Sequence, residues 1–193
     1  RFGLYAPICS WNRVAFFGRD SDSTLPVWSA QKGFPGDSIY REFHRDLGWD
    51  LPIEKLQKLG INDHRPLGLK LHKVTGRSVA LDKKEIYEPE IAEQQTKKHA
   101  TEYLKGRNQQ LRELENTMST KPFLIAPFDA ELFGHWWFEG PSFLSELFIQ
   151  SKKEGVNFVT LREVLQEKPQ IQLCQPSPSS WGQGGFHNYW LND

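Results

Sequence analysis

Apolar residues near the start of the chain come in short runs. Residues 2–8 (FGLYAPI) and 14–17 (VAFF) have the length and composition of buried strand pieces. Residues 18–36 are rich in Gly, Pro, Ser and Asp and predict a long surface loop, a kind of segment that often carries function. Residues 39–47 suit a short helix. Residues 67–74 alternate weakly and stop at Thr75 and Gly76, as a strand would. The strongest pattern opens at Pro89. Ala100, Leu104, Leu111, Leu114 and Met118 recur at helical spacings, one apolar stripe on a charged rod, so a helix is predicted from Pro89 to about Met118. Residues 123–128 (FLIAPF) form a continuous apolar run, the signature of a parallel strand buried on both faces. Pro141 opens a second helix ending at Gly155. Residues 156–159 read as a strand, and Thr160 with Glu163 is a capping-box pair that starts a helix to about Glu167. Residues 168–185 read as a linker. Helices alternating with strands across 89–167 predict the α/β class, a parallel sheet with crossover helices.

Composition narrows the classes. The chain has 193 residues, the length of one ordinary domain. Lys plus Arg and Asp plus Glu both number 24, so net charge is zero, which excludes a general electrostatic grip on nucleic acid or an anionic membrane. Mean hydropathy is −0.60 and no apolar run reaches the length of a membrane span. Nothing at the N-terminus marks secretion. Cys9 and Cys174 lie far apart in sequence and suit free thiols in a reducing, cytoplasmic setting. The chain starts at Arg1 and runs straight into an apolar stretch, so we expect it to be part of something longer. The seven Trp exceed what a core of this size needs.

The chemistry concentrates in residues 128–141, FDAELFGHWWFEGP. Asp129 stands where the predicted strand 123–128 ends, the place where α/β folds gather catalytic groups. A low-dielectric strand behind the acid would raise its pKa, the condition for a general acid at neutral pH. Glu131 would share its face if the strand continued, and His135, Trp136 and Trp137 follow. Sugars offer flat C–H faces to aromatic rings and hydroxyls to polar groups, so carboxylates among tryptophans suit an oligosaccharide site. Strand-end acids also cap helices, and paired Trp also fill cores. Asp129, Glu131 and His135 lack a known metal-ligand spacing, and no metal or cofactor is expected. No Gly-rich phosphate loop and no Gly-x-Ser-x-Gly elbow occurs.

DAELFGHWWFEGP resembles the fourth conserved region of glycoside hydrolase family 57, and its WWFEGP continuation is most similar to the 1,4-α-glucan branching enzymes of that family. RFGLYAPI, VAFFGRD with VWS, GFPGDSIYREFHRDLGWD and PSSWGQGGFHNYWLN resemble the same family in the same order. The resemblance implies the C-terminal portion of an incomplete (β/α)7 barrel with a helical excursion over 1–167. Residues 168–193 would then be a linker and the start of a C-terminal helical domain that is cut off. It implies a retaining mechanism with two carboxylates, Asp129 as general acid/base and the nucleophile Glu in a missing N-terminal half. An α-glucan is the implied substrate, with Trp49, Glu131, His135, Trp136, Trp181 and Trp190 as binding residues. His135 is expected to orient Asp129 or pack beside it. Arg41 and the Arg19–Asp20 pair are open between structural ion pairs and substrate contacts, and His72 reads as a satisfied strand histidine. Hydrolysis, α-1,4 transfer and glucan binding without turnover are the competing functions.

Overall fold

The computed structural model describes residues 2–180, 182 and 184–187. The apolar stripe after Pro89 forms helix α4, Pro89–Glu115, close to its predicted extent. Ala92, Thr96, His99, Ala100, Tyr103 and Leu104 are its buried residues, whereas Leu111, Leu114 and Met118 are half-buried. Helix α5, Gly140–Ser151, packs along α4 and contributes Phe143 and Leu147 to the core. Tyr40, Leu132, Trp137 and Val27 complete that core. Helix α6, Leu161–Gln166, begins with the predicted capping box.

The segment 18–36 is not a plain loop. It holds helix α1, Ser21–Trp28, and a 3-10 turn, Phe34–Gly36. Asp20 caps α1 through Ser23 N–H at 2.9 Å. Pro26 lies inside this helix and cannot donate to the Asp22 carbonyl, and the Arg107 guanidinium of α4 donates to that carbonyl instead. The repair comes from residues far away in sequence, so the Pro- and Ser-rich text alone did not betray a helix. Asp20 therefore acts as a helix cap, also held by Gln110 at 3.1 Å, and not as an ion-pair partner of Arg19.

The parallel sheet is much smaller than predicted. Among the described residues the sheet has the order β2-β1-β3, with β1 Ile8–Cys9, β2 Ala15–Phe16 and β3 Gln172–Leu173. Only β1 and β3 pair in parallel, which brings Cys174 N–H to the Cys9 carbonyl at 3.0 Å, and both thiols are free. The run 123–128 is mostly half-buried but builds no ladder. Its ties are Phe123 N–H to the Tyr5 carbonyl, 3.2 Å, and Asp20 N–H to the Ile125 carbonyl, 2.8 Å. Pro122 and Pro127 have no N–H to give, which interrupts regular pairing. Residues 156–159 form no strand either. Val156 is buried, but Phe158 and Val159 are about half exposed, so nothing covers both faces.

Segment 37–88 is a strap of turns rather than the predicted helix over 39–47. Residues 38–42 run against 72–75, and 71–73 against 85–87, as a loose antiparallel meander with the predicted strand 67–74 at its centre. His72 lies there, its backbone bridged to Ile86 and its Nδ1 3.8 Å from the Asp50 carboxylate. Two short helices, α2 Leu47–Asp50 and α3 Ile53–Lys58, sit within the strap. Asp46 organises it. Its carboxylate is almost fully buried and accepts the N–H groups of Gly48, Leu67 and Gly68, each at 2.9 Å. No described helix is long and apolar enough to cross a membrane.

Candidate functional site

After Phe128 the chain turns sharply instead of continuing as a strand. Asp129 precedes a 3-10 turn, Ala130–Leu132. Gly134 then adopts a φ of 93°, which a side chain would strain, and its N–H reaches the Trp137 carbonyl at 2.8 Å. Trp136 N–H returns to the Glu131 carbonyl and Trp137 N–H to the Leu132 carbonyl. Gly140 closes the turn against Phe133, whose Cα would stand 2.9 Å from any added Cβ. This geometry sorts the motif. Leu132, Trp137 and Glu139 go inward, while Asp129, Glu131, His135 and Trp136 stay exposed.

Asp129, Glu131 and Trp136 share a cleft of about 660 Å³. Its other walls include Trp28, parts of the 30–36 segment, the 41–44 stretch of the strap, and Val74, Arg77 and Lys84. Glu131 thus reaches the cleft through the turn and not through strand alternation. The burial expected around Asp129 is not there, since its side chain is exposed at the mouth of the cleft. One oxygen is nevertheless fixed: the Trp28 indole N–H donates to Asp129 Oδ2 at 3.3 Å. Among the described residues nothing else hydrogen-bonds that carboxylate.

Trp136 is 53 % exposed and lies on Phe43, with ring centroids 4.5 Å apart at 30°. His135 abuts both rings edge-on, at 5.5 Å from Phe43 and 5.3 Å from Trp136. It packs beside the platform and makes no hydrogen bond to Asp129. Trp137 is core, 1 % exposed, against Phe143 and Tyr40. Trp49, on α2, is exposed and stacked at 13° on His64, but it does not line this cleft. Trp181 and Trp190 lie outside the described residues.

Trp28 and Phe43 were not predicted as site residues. VWS stands out in sequence, but nothing local shows that α1 delivers Trp28 to Asp129. Phe43 falls inside GFPGDSIYREFHRDLGWD, a stretch that carries the family resemblance, but nothing in that stretch marks Phe43 as a cleft residue.

The strap wall is electrostatically built. Lys84 Nζ is 3.1 Å from Glu42 Oε2 and donates to the Val74 and Gly76 carbonyls at 2.5 and 3.0 Å. Burial opposes ionisation of Glu42, but the His44 N–H and Lys84 outweigh it and hold its pKa below the usual carboxylate value. Asp46 shows the same contest, won by its backbone N–H donors and Lys70. Glu139 shows the opposite result. Burial pushes its pKa up, and the Arg41 N–H and the Tyr87 hydroxyl beside it compensate only in part. Its Oε1 accepts the Arg41 N–H at 3.0 Å, while the buried Oε2 has no partner in hydrogen-bonding geometry.

No family model matches the chain. A 1,4-α-glucan branching enzyme of Thermococcus kodakarensis is 35% identical over 186 residues, which cover 94% of this chain and 25% of that protein. The solved α-amylase AmyC of Thermotoga maritima superposes with a TM-score of 0.86 at 38% identity, over 98% of this chain and 37% of that one. The family 57-type branching enzyme of Pyrococcus horikoshii gives 0.84 at 33% identity, over 98% and 32%. Branching enzymes of glycoside hydrolase family 57 are thus homologues of this chain over nearly its whole length. The chain spans between 25% and 37% of the length of these proteins.

Proposed function

We propose that this chain is part of a 1,4-α-glucan branching enzyme of glycoside hydrolase family 57. It would supply the C-terminal portion of an incomplete (β/α)7 barrel (residues 1–167) and the linker and start of the C-terminal helical domain (168–193). The observation that carries the reading is Asp129, held by Trp28 at a cleft that Trp136 also lines. With Oδ2 held by the indole N–H, Oδ1 is free to carry the proton. In a retaining mechanism Asp129 gives that proton to the glycosidic oxygen as an α-1,4 bond breaks and the reducing-side glucan leaves. A second carboxylate, placed by this reading in the rest of the protein, attacks the anomeric carbon. The carboxylate of Asp129 then takes a proton from an incoming 6-hydroxyl, whose oxygen displaces the enzyme carboxylate and forms the α-1,6 branch. Glu131 binds a sugar hydroxyl, Trp136 stacks on a glucosyl ring, and Trp181 and Trp190 hold the long donor chain. His135 supports the Trp136 ring. Alone, the 193-residue chain is expected to lack turnover.

Hydrolysis is the second reading, favoured by the Thermotoga α-amylase among the superposed structures. Product analysis of the complete protein on amylose separates the two, because only transfer to a 6-hydroxyl makes α-1,6 linkages. In the same assay Asp129→Asn should lower turnover by about 10²–10⁴-fold. Near-wild-type turnover would remove Asp129 from the chemistry.

A further inference from the structure

Arg41 and Arg77 are two cations lining the cleft from the strap that form no ion pair among the described residues, and of the two Arg41 is the one held in place, since Arg77 is exposed. Three constraints fix its position. Its N–H is bound by Glu139 Oε1 at 3.0 Å, its backbone bridges Lys73, and its guanidinium carbon stands 3.5 Å over the Phe138 ring. Stacking on an aromatic face leaves the in-plane donors of a guanidinium unspent. Among the described residues none accepts a hydrogen bond from those donors, and no carboxylate lies within 4.0 Å of them. Lys84, the neighbouring cleft cation, is by contrast committed to Glu42 and two carbonyls. Burial removes part of the water around Arg41 and lowers its pKa, against the pull of Glu139. The group is therefore half-desolvated, rigidly held and short of acceptors, on the same cleft as Asp129 and Trp136.

We propose that Arg41 is a substrate-positioning residue whose planar fork of donors binds a vicinal hydroxyl pair of one glucosyl unit in the Asp129 cleft. The proposal rests on the branching-enzyme reading for the identity of the ligand. A flat ring such as Trp136 fixes the plane of a sugar but not its rotation. Two parallel N–H donors on neighbouring hydroxyl oxygens fix the rotation too. Because Phe138 and Glu139 set the guanidinium in place beforehand, little rotamer entropy is lost on binding. The contact is present in the bound substrate and in the transition state alike, so it acts on binding more than on turnover.

The test uses the complete protein with Asp129→Asn to stop turnover and maltoheptaose as the probe, with binding followed by calorimetry. Arg41→Gln in that background should weaken binding by about tenfold or more, as expected for lost charge-assisted hydrogen bonds. Arg41→Lys, a point charge without the fork, should recover only part of it. In the otherwise wild-type enzyme, Arg41→Gln should raise KM for amylose by a similar factor with kcat nearly kept. Unchanged affinity in Arg41→Gln, or full recovery in Arg41→Lys, would overturn the proposal. If Arg41→Gln does not fold, the lysine variant alone decides: weakened binding supports the proposal and wild-type binding overturns it. Failure of the underlying reading looks different, since the unmutated enzyme would then form no α-1,6 branches and Asp129→Asn alone would bind no maltoheptaose.

Discussion

Helices α4 and α5 bury Leu104, Phe143 and Leu147 against each other, whereas the strap 37–88 buries Asp46, Glu42 and the Lys84 ammonium. Both regions wall the same cleft, α5 through the turn that precedes it and the strap through residues 41–44. Non-directional apolar burial stabilises the first and tolerates small shifts. Directional bonds to backbone groups stabilise the second. Asp46 alone ties residues 48, 67 and 68 together, and Lys84 ties 42, 74 and 76. A cleft wall made this way can have a defined shape with almost no regular secondary structure. Its weakness is that each tie is single.

The largest effect is expected in the helical half. Phe143 is fully buried and touches Trp137, Tyr103 and Phe34. Phe143→Ala should cost about 3–5 kcal/mol in urea unfolding, with the loss spread over α4 and α5 in hydrogen exchange. A loss under about 1 kcal/mol would mean that the helical half does not depend on this packing.

Asp46→Ala should cost less, about 1–3 kcal/mol, but should act locally. It leaves the N–H groups of Gly48, Leu67 and Gly68 without their acceptor. Exchange should accelerate at those amides while α4 keeps its protection. If α4 amides accelerate equally, strap and helices open as one unit and the contrast fails.

The same difference decided what could be read from sequence. Ala100 and Leu104 recur with helical period because apolar packing repeats with the helix, so α4 was legible to within a few residues. Thr160 and Glu163 were legible because a capping box is local. Asp46, Glu42 and Lys84 follow no period; their partners lie up to 42 residues away, as Lys84 does from Glu42, and only the fold reveals them. The site splits in the same way. Asp129, Glu131 and Trp136 sit in one local motif, and the structure brings them to one cleft. Trp28 reaches Asp129 across 101 residues, which no local pattern shows, and Trp49, expected to bind glucan, does not line this cleft. The run 123–128 misled because apolar content does not reveal which N–H groups two prolines take out of a ladder.

The smallest and most discriminating effect is in pH. Asp46 and Glu42 have folded pKa values below their ordinary 3.8 and 4.5. Their stabilisation is complete above those ordinary values and is lost as pH falls through the lower folded values, so the strap should lose exchange protection first on acidification. Glu139 has the opposite sign. Burial holds its pKa above the ordinary 4.5, so its contribution is complete below pH 4.5 and is lost as pH rises through the higher folded value. Glu139→Gln keeps an oxygen for the Arg41 N–H but has no proton to lose. From pH 4.5 up to the raised folded value the wild-type protein should therefore lose a little stability that the Gln variant keeps, and the two unfolding curves should diverge with rising pH. Parallel curves would mean that Arg41 and Tyr87 already satisfy the ionised carboxylate. Glu139 would then belong with Asp46 and Glu42 as a charge-satisfied tie, and the division between apolar half and polar strap would run through the motif itself rather than beside it.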